Sequence, residues 1–522
     1  MIYLIKFYST IDLKKRNVIF RLALMKEAVV RIVLFSVILI SACAYLLQAQ
    51  QSPFPAPEER ARLKLGEHVF KPGKFAGYAA DFGIILVPEN RNNPDSNTIQ
   101  LAFIRIHALE DQTAEPVFLL NGGPGKSNIR GVLPSGFFKH NDLVIVGFRG
   151  IDSSVKLDCP EVSKAFTTDN PYSPESLARI RKIIRGSYDR YTEAGVDING
   201  YTVLEVVDDI DTVRKALGYE KINLFSSSYG TILAYVYCLR YLQNIQRNLM
   251  IGASNISHHL VQEPEAVERV LRDYGKLWKQ DPKASARSPD ILKTIENVLN
   301  TLPRSWEDIR IDPDKIKLCT YWLLYETKTA PMIFDAYVAA ENGDYSGLAF
   351  LSYSYGDEVG SSEFWCDYFS KALSFGPDPA RNLIEEMDSP GSIIGSPSAR
   401  LFLGAASQGG WPIRPIPQKY REMQDCDVET LVVMGNLDPS SPLEYIRELM
   451  PYFKKGQLVV LSDMGHMDPS NLQPEAFNHL GERFYSEGIV DTSKYVFNKV
   501  DFEPEETYQD HAKKLFIDKK KK

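Results

Sequence analysis

The sequence predicts an α/β protein with a mostly parallel sheet, helices on both faces of the sheet and an inserted, mainly helical cap. Three observations predict this class. Short apolar runs alternate with amphipathic segments, this alternation stops over a long central stretch, and it resumes towards the C-terminus. Strands that are buried on both faces appear as continuous apolar runs, and their alternation with helices indicates parallel pairing.

The strand predictions rest on short apolar runs bounded by turn residues. Residues 79–88 and 98–107 are partly alternating runs joined by the turn-rich segment 90–95, which is typical of a hairpin. The later runs that indicate strands are 116–120, 143–146, 222–225, 248–251, 430–434 and 458–461.

Two helices flank the strand at 222–225. Apolar residues from Val203 to Leu217 recur every three or four positions, and Gly218 is well placed to end this helix. A second helix is predicted at roughly 231–241. From about residue 256 the character changes to long charged amphipathic segments with aromatic clusters, which predicts the helical cap.

These patterns divide the chain into six segments. The predicted segments are an export or lipoprotein signal at 1–49, a linker at 50–76, the first part of the sheet domain at 77–255, the cap at 256–415, the second part of the sheet domain at 416–500 and a solvated basic tail at 501–522.

Composition excludes several classes of function. The 522 residues are 44% hydrophobic and 24% charged with a net charge of −7, so a large core is expected and nucleic acid is not an expected partner. The sequence has no phosphate-binding GxxxxGK[ST] loop, no glycine-rich dinucleotide motif and no HExxH. We therefore expect no metal and no organic cofactor; the sequence says nothing about the oligomeric state.

The N-terminal segment has the pattern of an export signal. After a second candidate start at Met25, a basic stretch is followed by the apolar run Ile32–Ile40 and then by Ser41, Ala42 and Cys43. This ending is similar to a bacterial lipobox, which predicts lipidation of Cys43 and attachment to the cell envelope. Two alternatives remain open: cleavage after Ala49, giving a periplasmic or secreted protein, or retention of the apolar run as a short membrane anchor.

The six cysteines include no CxxC motif, which argues against a zinc or redox site. If Cys43 is processed, five remain, enough for at most two disulfides. Cys238 lies in an apolar helical stretch and is expected to be buried and reduced. Pairing among the others stays open: Cys159, Cys319, Cys366 and Cys426.

A candidate nucleophile lies between a strand and a helix. Ser228 is the centre of Ser226-Ser-Ser-Tyr-Gly230, directly after the strand that ends at Phe225. A nucleophile elbow needs a sharp strand-to-helix turn with small residues two positions away on either side, and Gly230 and Ser226 meet this requirement.

A glycine-rich loop supplies candidate donors for an oxyanion. Asn121-Gly-Gly-Pro-Gly125 follows an early strand, where glycines free backbone N–H groups. The N–H groups of Gly123 and of Tyr229, the residue after the nucleophile, are the predicted oxyanion donors.

An acid and a base follow the last two predicted strands. Asp438 comes after the strand at 430–434, and His466 comes after the strand at 458–461 and directly after a glycine. Asp463 and Asp468, which flank the histidine, are expected to be solvated. The order serine, aspartate, histidine is that of the α/β-hydrolase fold, so Ser228, Asp438 and His466 are predicted to form a catalytic triad.

These motifs resemble those of proline iminopeptidases and tripeptidyl aminopeptidases, the serine aminopeptidases with an HGGPG loop. The resemblance covers roughly residues 77–252 and 425–470. It rests on Asn121–Gly125, on Phe148-Arg149-Gly150 with Leu157-Asp-Cys-Pro160, on Ser228–Thr231, on Asp438–Pro442 and on Gly465-His466. It implies the α/β-hydrolase fold, an acyl-enzyme mechanism, and substrate contacts from Gly122 and Arg149.

The sequence departs from this family at three places. Asn121 replaces a histidine, Gly147-Phe148 replaces Asp-Gln, and Met467 follows the catalytic histidine in place of a small residue. The family uses acidic cap residues to bind the free amino terminus of the substrate. The candidates here are Glu263, Glu265, Glu341 and Glu363, but nothing in the sequence selects among them, and a plain surface position is the better explanation of each.

The sequence therefore predicts an exported serine hydrolase, most simply an aminopeptidase acting on short peptides. Two alternatives remain: a carboxylic ester hydrolase with the same triad acting on a small ester, and a non-catalytic binding protein on a hydrolase fold. Fold alone does not decide among substrates.

Overall fold

The computed structural model describes residues 53–520, apart from 111–113, 132, 134–135, 137–138, 361–363 and 379. Residues from Ala56 onward form one compact unit. The predicted export signal at 1–49, including Cys43, lies outside the described residues. Among the helices that are described, none has the length and apolar character needed to span a membrane.

A nine-stranded sheet forms the centre of the described unit, with a separate two-stranded hairpin. The strands are β1 (His68–Phe75), β2 (Tyr78–Pro88), β3 (Thr98–Ile106), β4 (Val117–Leu120), β5 (Leu143–Val146), β6 (Ile222–Ser227), β7 (Ile245–Ile251), β8 (Ser305–Trp306), β9 (Ile309–Arg310), β10 (Glu429–Gly435) and β11 (Gly456–Leu461).

The strand order in the sheet is β1-β2-β3-β5-β4-β6-β7-β10-β11. Strands β1, β2, β3 and β5 pair antiparallel, and all pairs from β5 through β4, β6, β7 and β10 to β11 are parallel. Every residue of β4, β5 and β6 is buried, because helices cover both faces there. The predicted fold class is confirmed.

Helices cover the sheet, and most of the chain segment that joins β7 to β10 in sequence is also helical. They are α1 (Pro57–Arg60), α2 (Pro160–Phe166), α3 (Pro174–Glu193), α4 (Val203–Ala216), α5 (Tyr229–Arg240), α6 (Pro264–Gln280), α7 (Pro282–Arg287), α8 (Ile291–Thr301), α9 (Pro313–Leu323), α10 (Ala330–Glu341), α11 (Ser346–Gly360), α12 (Trp365–Leu373), α13 (Leu383–Glu386), α14 (Gly404–Ser407), α15 (Leu443–Leu449), α16 (Asp468–Asn471), α17 (Pro474–Glu487) and α18 (Tyr508–Lys520).

Strand β1 (His68–Phe75) was not predicted, and its residues fall within the predicted linker at 50–76. It pairs with β2 along its whole length, from His68 opposite Ile85 to Phe75 opposite Tyr78. Most of its residues are exposed, so the strand lacks the apolar run of a buried strand. It also contains Pro72, which lacks an N–H donor and is tolerated only at the edge of a sheet. The sheet therefore includes residues that precede position 77, the predicted start of the sheet domain.

The helical layer draws on more of the chain than the predicted insertion. One hydrophobic core joins the insertion to helices α2 and α3, which precede the nucleophile in sequence, and to Val500 and Phe502 near the C-terminus. A second core lies between the sheet and helices α4 and α5. The cap is therefore assembled from three separate stretches of sequence.

The C-terminal segment, predicted to be a solvated basic tail, forms helix α18 and packs on the insertion. The Phe516 ring lies 4.8 Å from that of Trp306, Gln509 Nε2 donates to Asp335 Oδ2 at 3.0 Å, and Ala512 is buried. The basic composition of the tail obscured this, because Ala512 and Phe516 make contacts while Lys513 and Lys514 are exposed.

Candidate active site

Ser228 lies at the sharp turn between strand β6 and helix α5. Its backbone has φ 51° and ψ −129°, a conformation that a residue with a Cβ adopts only under strain. Its N–H donates to the Ile251 carbonyl oxygen (3.0 Å), and its own carbonyl oxygen accepts from the Thr231 N–H (2.9 Å). These bonds hold the turn and leave the Ser228 side chain at a cavity wall.

The residues on either side of the turn must be small. An added Cβ at Gly230 would lie 2.0 Å from the Leu120 carbonyl oxygen, so only glycine lets α5 approach the end of β4 this closely. Ser226, which stands in place of the usual first glycine, is fully buried and donates its hydroxyl to the Leu249 carbonyl oxygen (3.4 Å). A small residue therefore suffices at that position.

Asp438 and His466 contact each other after the last two parallel strands. His466 Nδ1 lies 2.6 Å from Asp438 Oδ2, and both side chains are buried. The other carboxylate oxygen, Oδ1, accepts from the N–H groups of Ser440 (2.8 Å) and Ser441 (2.9 Å). Since the turn fixes the carboxylate, the imidazole is oriented with Nδ1 towards the acid and Nε2 away from it.

His466 approaches the nucleophile across the end of strand β7. An added Cβ at Gly252 would lie 2.9 Å from Cε1 and from Nδ1 of His466, so the imidazole packs directly on this glycine. Gly252 follows Ile251, whose carbonyl oxygen accepts from the Ser228 N–H. Ser228 and His466 line one cavity of about 1380 Å³. The structure thus brings the predicted nucleophile, acid and base to one site.

The loop after β4 runs against the nucleophile. An added Cβ at Gly122 would lie 2.5 Å from the Ser228 Cβ, and the Gly122 N–H donates to Ser227 Oγ at 3.1 Å. Gly123 has φ 82° and lines the cavity. Tyr229 is the first residue of α5, so its N–H has no acceptor within the helix. The two predicted oxyanion donors therefore flank Ser228.

Asn121 fixes the base of this loop. Its backbone N–H and its Nδ2 both lie within hydrogen-bond distance of Asn128 Oδ1, at 2.9 and 3.2 Å. The buried Asn128 side chain in turn donates to the carbonyl oxygens of Leu119 (2.9 Å) and Val146 (2.8 Å). The residue that replaces the family's histidine therefore helps tie the loop to the ends of β4 and β5.

The segment after helix α9 contacts the histidine loop, which the sequence did not predict. The Tyr325 carbonyl oxygen accepts from the backbone N–H of His466 at 2.6 Å. The Tyr325 ring lies edge-on to the imidazole, with ring centroids 5.4 Å apart. An added Cβ at Gly465 would lie 2.0 Å from that same carbonyl oxygen. The cap therefore forms part of the catalytic loop's support.

Two carboxyl groups hold the residues on either side of His466. Glu326 Oε1 accepts from the Met467 N–H (3.1 Å), and Asp468 Oδ2 accepts from the Gly465 N–H (2.8 Å). Asp468 was expected to be solvated but is only 1% exposed. Burial, together with a hydrogen bond to Asp468, raises the pKa of Glu326 to about 9. Glu326 therefore carries a proton at neutral pH.

Arg149 does not contact substrate, contrary to the prediction. Its side chain is 0% exposed and makes a bidentate pair with Asp209, with both N–O distances at 2.7 Å. It also donates to the carbonyl oxygens of Glu89 and Gly200, both at 2.5 Å. Arg149 therefore holds the end of β2 against helix α4 and the turn before that helix.

None of the cap glutamates that the structure describes lines a cavity at the nucleophile. Glu263 pairs with Arg381 at 2.7 and 3.0 Å, Glu341 accepts from the Thr294 hydroxyl at 2.7 Å, and Glu265 is exposed on helix α6. Glu363 lies outside the described residues. Glu263, Glu265 and Glu341 are therefore not placed at the cavities that Ser228 lines.

A second cavity of about 350 Å³ also borders Ser228 and shares Gly123, Lys126 and Tyr325 with the first. Its walls include six aromatic residues together with Lys126 and several polar residues, and neither His466 nor any described carboxylate lines it. Its lining includes Gly123, Ser228, Tyr229, Trp322, Tyr325, Trp365, Tyr368 and Phe402. Within the part of the chain that the structure describes, no group of three or more His, Cys, Asp or Glu side chains is placed to bind a metal ion.

Comparison with known proteins identifies the family. The profile of the α/β-hydrolase fold matches residues 115–470, which include the nucleophile, the acid and the base. The chain belongs to the α/β-hydrolase family and is a serine hydrolase of that fold. A meta-cleavage product hydrolase from Pseudomonas fluorescens IP01 is a structural neighbour, with 16% identity, 75% of this chain and 96% of that chain covered, and a TM-score of 0.36.

The curated relatives of this chain include peptidases. The serine protease Hip1 of Mycobacterium tuberculosis is 26% identical over 258 residues, 45% of this chain and 47% of the relative. The tripeptidyl aminopeptidase of Streptomyces lividans is 26% identical over 212 residues, 38% and 39% of the two chains. A proline iminopeptidase of Flavobacterium johnsoniae is 32% identical over 115 residues, 22% and 33% of the two chains. The match spans less than half the length of each of these relatives.

Proposed function

We propose that the protein is an exported serine aminopeptidase, which releases N-terminal residues or short peptides through an acyl-enzyme. The observation that carries this proposal is the 2.6 Å contact between His466 Nδ1 and Asp438 Oδ2, at the wall of the cavity that Ser228 also lines. A buried, oriented imidazole beside a serine on a strained turn is the arrangement that activates a hydroxyl nucleophile.

In this mechanism His466 Nε2 takes the proton of the Ser228 hydroxyl as its oxygen attacks the scissile carbonyl carbon. Asp438 keeps the imidazole in the required tautomer and stabilises the imidazolium that forms. The N–H groups of Gly123 and Tyr229 bind the developing oxyanion, and loss of one such donor costs about 3 kcal/mol of transition-state stabilisation. His466 then protonates the leaving amine, and water resolves the acyl-enzyme by the reverse sequence.

The two cavities divide the substrate between them. His466 lines the larger cavity and not the smaller one, and the base must protonate the leaving group. The leaving peptide therefore occupies the larger cavity of about 1380 Å³, and the acyl part of the substrate occupies the smaller cavity of about 350 Å³. A small acyl chamber beside a large leaving-group cavity suits an enzyme that removes a short N-terminal piece from a longer chain. The peptidase relatives support the same choice.

Export and lipidation at Cys43 are part of this proposal. The support is the basic start, the apolar run Ile32–Ile40 and the small residues before Cys43. We expect the whole chain to be recovered in the membrane fraction of the cell envelope and to be solubilised by detergent. The Cys43→Ala variant should be lost from that membrane fraction. Cytosolic recovery of both forms would contradict export.

An ester hydrolase is the second candidate. It is favoured by the smaller cavity, whose described lining includes six aromatic residues and Lys126 but no carboxylate to bind a free ammonium group. An uncharged acyl group would fit such walls without an ion-pair partner. The substrates would then be small carboxylic esters, cleaved by the same three residues.

Two measurements test these proposals. A fluorophosphonate probe should label the wild-type protein and fail to label Ser228→Ala, with Ser226→Ala as a matched control that keeps labelling. Absence of labelling in folded wild-type protein would instead favour a binding function. A screen of aminoacyl, tripeptidyl and N-acetylated amides against p-nitrophenyl esters then decides the substrate class, since an aminopeptidase requires the free amine and an esterase cleaves only the esters.

A further inference from the structure

Lys126 lies at the boundary between the two cavities that Ser228 borders. Both cavities are lined by Ser228, by the predicted oxyanion donor Gly123 and by Lys126. An added Cβ at Gly123 would lie 2.7 Å from Cδ and 2.9 Å from Cγ of Lys126, so the stem of the lysine packs on the glycine-rich loop. In the proposed mechanism the scissile carbonyl group lies between Ser228 and Gly123. The lysine stem therefore lies close to the reacting group.

A tight turn holds Lys126 in this place. Its N–H donates to the Gly123 carbonyl oxygen at 3.1 Å, and Gly123 and Gly125 have φ of 82° and 81°, a region that favours glycine. On the cap side, the Phe364 N–H donates to the Gly125 carbonyl oxygen at 2.8 Å, and an added Cβ at Gly125 would lie 3.0 Å from the Tyr368 Cβ. The turn that carries the lysine is therefore fixed between the nucleophile and the cap.

The two cavities differ in the charge of their walls. Among the described residues that line the smaller cavity, Lys126 is the one that carries a charge. The neutral polar side chains there include Gln262, Ser398 and Ser440. The charged residues that line the larger cavity are of both signs: Lys126, Arg130, Lys164, Asp158 and Asp357. The described walls of the smaller cavity therefore carry charge of one sign, and it is positive.

We propose that Lys126 selects substrates whose acyl part carries a carboxylate. This group is either the side chain of an acidic N-terminal residue or the free end of a dicarboxylic half-ester. The proposal rests on hydrolysis by Ser228 with the acyl part in the smaller cavity. A carboxylate there pairs with the lysine ammonium in a charge-assisted hydrogen bond. The aromatic walls displace water, which strengthens this pair, whereas an acyl part whose only charge is an ammonium meets a like charge.

Binding to a protein that cannot hydrolyse tests the proposal without turnover. The Ser228→Ala protein is titrated by calorimetry with two pairs of ligands. L-Glutamic acid α-amide and L-glutaminamide differ only in the side-chain carboxylate, and monomethyl and dimethyl adipate make the same comparison without an amine. We expect the acid of at least one pair to bind about tenfold more tightly than its neutral partner. A preference in the first pair alone indicates an acidic N-terminal residue, and a preference in the second alone indicates a half-ester. Equal binding within both pairs would overturn the proposal.

Variants at position 126 test whether the preference depends on the lysine charge. In the Ser228→Ala background, Lys126→Gln should make acid and neutral ligand bind equally, Lys126→Arg should keep the preference and Lys126→Glu should reverse it. Lys156→Gln, at an exposed lysine that lines neither cavity, is the matched control and should keep the preference. Because both ligands are compared on the same protein, a general disturbance of the loop cancels. A preference that survives Lys126→Gln would assign carboxylate binding to another group and overturn the proposal.

Kinetics with Ser228 intact separate this proposal from the hydrolase proposal. The ratio of kcat/KM for glutamyl over glutaminyl p-nitroanilide, or for the mono-p-nitrophenyl ester of adipic acid over p-nitrophenyl hexanoate, should fall about tenfold in Lys126→Gln. Hydrolysis that depends on Ser228 but shows the same ratio in wild type and Lys126→Gln would overturn the role of Lys126 alone. Absence of fluorophosphonate labelling would overturn the hydrolase proposal and leave the binding preference to be decided by calorimetry.

Discussion

The carbonyl oxygen of Tyr325 accepts a hydrogen bond from the backbone N–H of His466 at 2.6 Å, which joins the inserted cap to the catalytic loop. The neighbouring Glu326 extends this contact by accepting from the Met467 N–H. The position of the imidazole thus depends on both the sheet domain and the cap. Substitutions in the cap segment should therefore change the rate of the chemical step as well as the affinity for substrate.

We predict that Glu326 makes stability depend on pH. The folded-state pKa of about 9 lies above the ordinary value of 4.5, so between these values the folded protein holds a proton that the unfolded chain has lost. Stability therefore falls as pH rises through this window. Glu326→Gln keeps a neutral side chain at all pH values, so its melting temperature should decline less between pH 5 and pH 9. Between pH 5 and pH 9, the free energy of unfolding of the wild type should fall by at least ~1.4 kcal/mol more than that of Glu326→Gln, the equivalent of one pKa unit.

The control for this prediction is Glu265→Gln, an exposed position on helix α6. It should reproduce the wild-type pH profile. Parallel profiles for wild type and Glu326→Gln would show that Glu326 is ionised in the folded protein at neutral pH.

Gly122→Ala should abolish most activity without unfolding the protein. The new Cβ would lie 2.5 Å from the Ser228 Cβ, and because both atoms are attached directly to backbone, the loop must move. A displacement of this kind typically reduces the rate about 100-fold. Steady-state kinetics together with thermal melts would measure it. Gly186→Ala is the matched control, since nothing lies within 4 Å of its added Cβ in helix α3, and it should retain activity.

Asp438→Asn should reduce kcat by about four orders of magnitude, because the amide orients the imidazole in the wrong tautomer. The pair buries Asp438 against His466 Nδ1, so the effect should appear in kcat with every substrate. Asp463→Asn, on the loop that carries His466 but half-buried and outside this contact, should differ little from wild type. Equal effects of the two substitutions would contradict the assignment of the acid.

Arg149→Met should destabilise the fold and leave KM of the remaining folded enzyme unchanged. The substitution leaves the buried Asp209 with Arg91 as a partner but removes Arg149, and loss of one member of a buried ion pair typically costs about 3–5 kcal/mol. Chemical denaturation would measure this loss. Arg185→Met, an exposed position on α3 whose partner Asp189 is also exposed, should cost less than about 1 kcal/mol. A raised KM with unchanged stability would restore the substrate-binding role.

The sheet and the reactive residues could be predicted because their signals are local. The strand at 222–225 and the small residues around Ser228 lie within ten positions of one another, and Asp438 and His466 each follow their own strand directly. The turn geometry of such motifs is encoded by residues adjacent in sequence.

The supports of the site could not be predicted, because they depend on contacts between distant segments. Nothing near Asp468 indicates that Glu326 and Thr327 cover it, although their contact buries its carboxylate. Arg149 likewise follows a strand in a motif associated with the site, and only the position of Asp209 on helix α4 shows that its side chain points away from the cavity. Strand β1 was missed for a different reason: an exposed edge strand lacks a hydrophobic signature.

Because the cap core draws on Ile180 in α3 and Phe502 near the C-terminus, residues 256–415 are not a self-contained cassette. A chimaera that exchanged only this insertion with that of another hydrolase would leave the apolar faces of α2, α3 and the final segment without their partners. Transfer of substrate preference between such enzymes therefore requires that all three stretches be moved together.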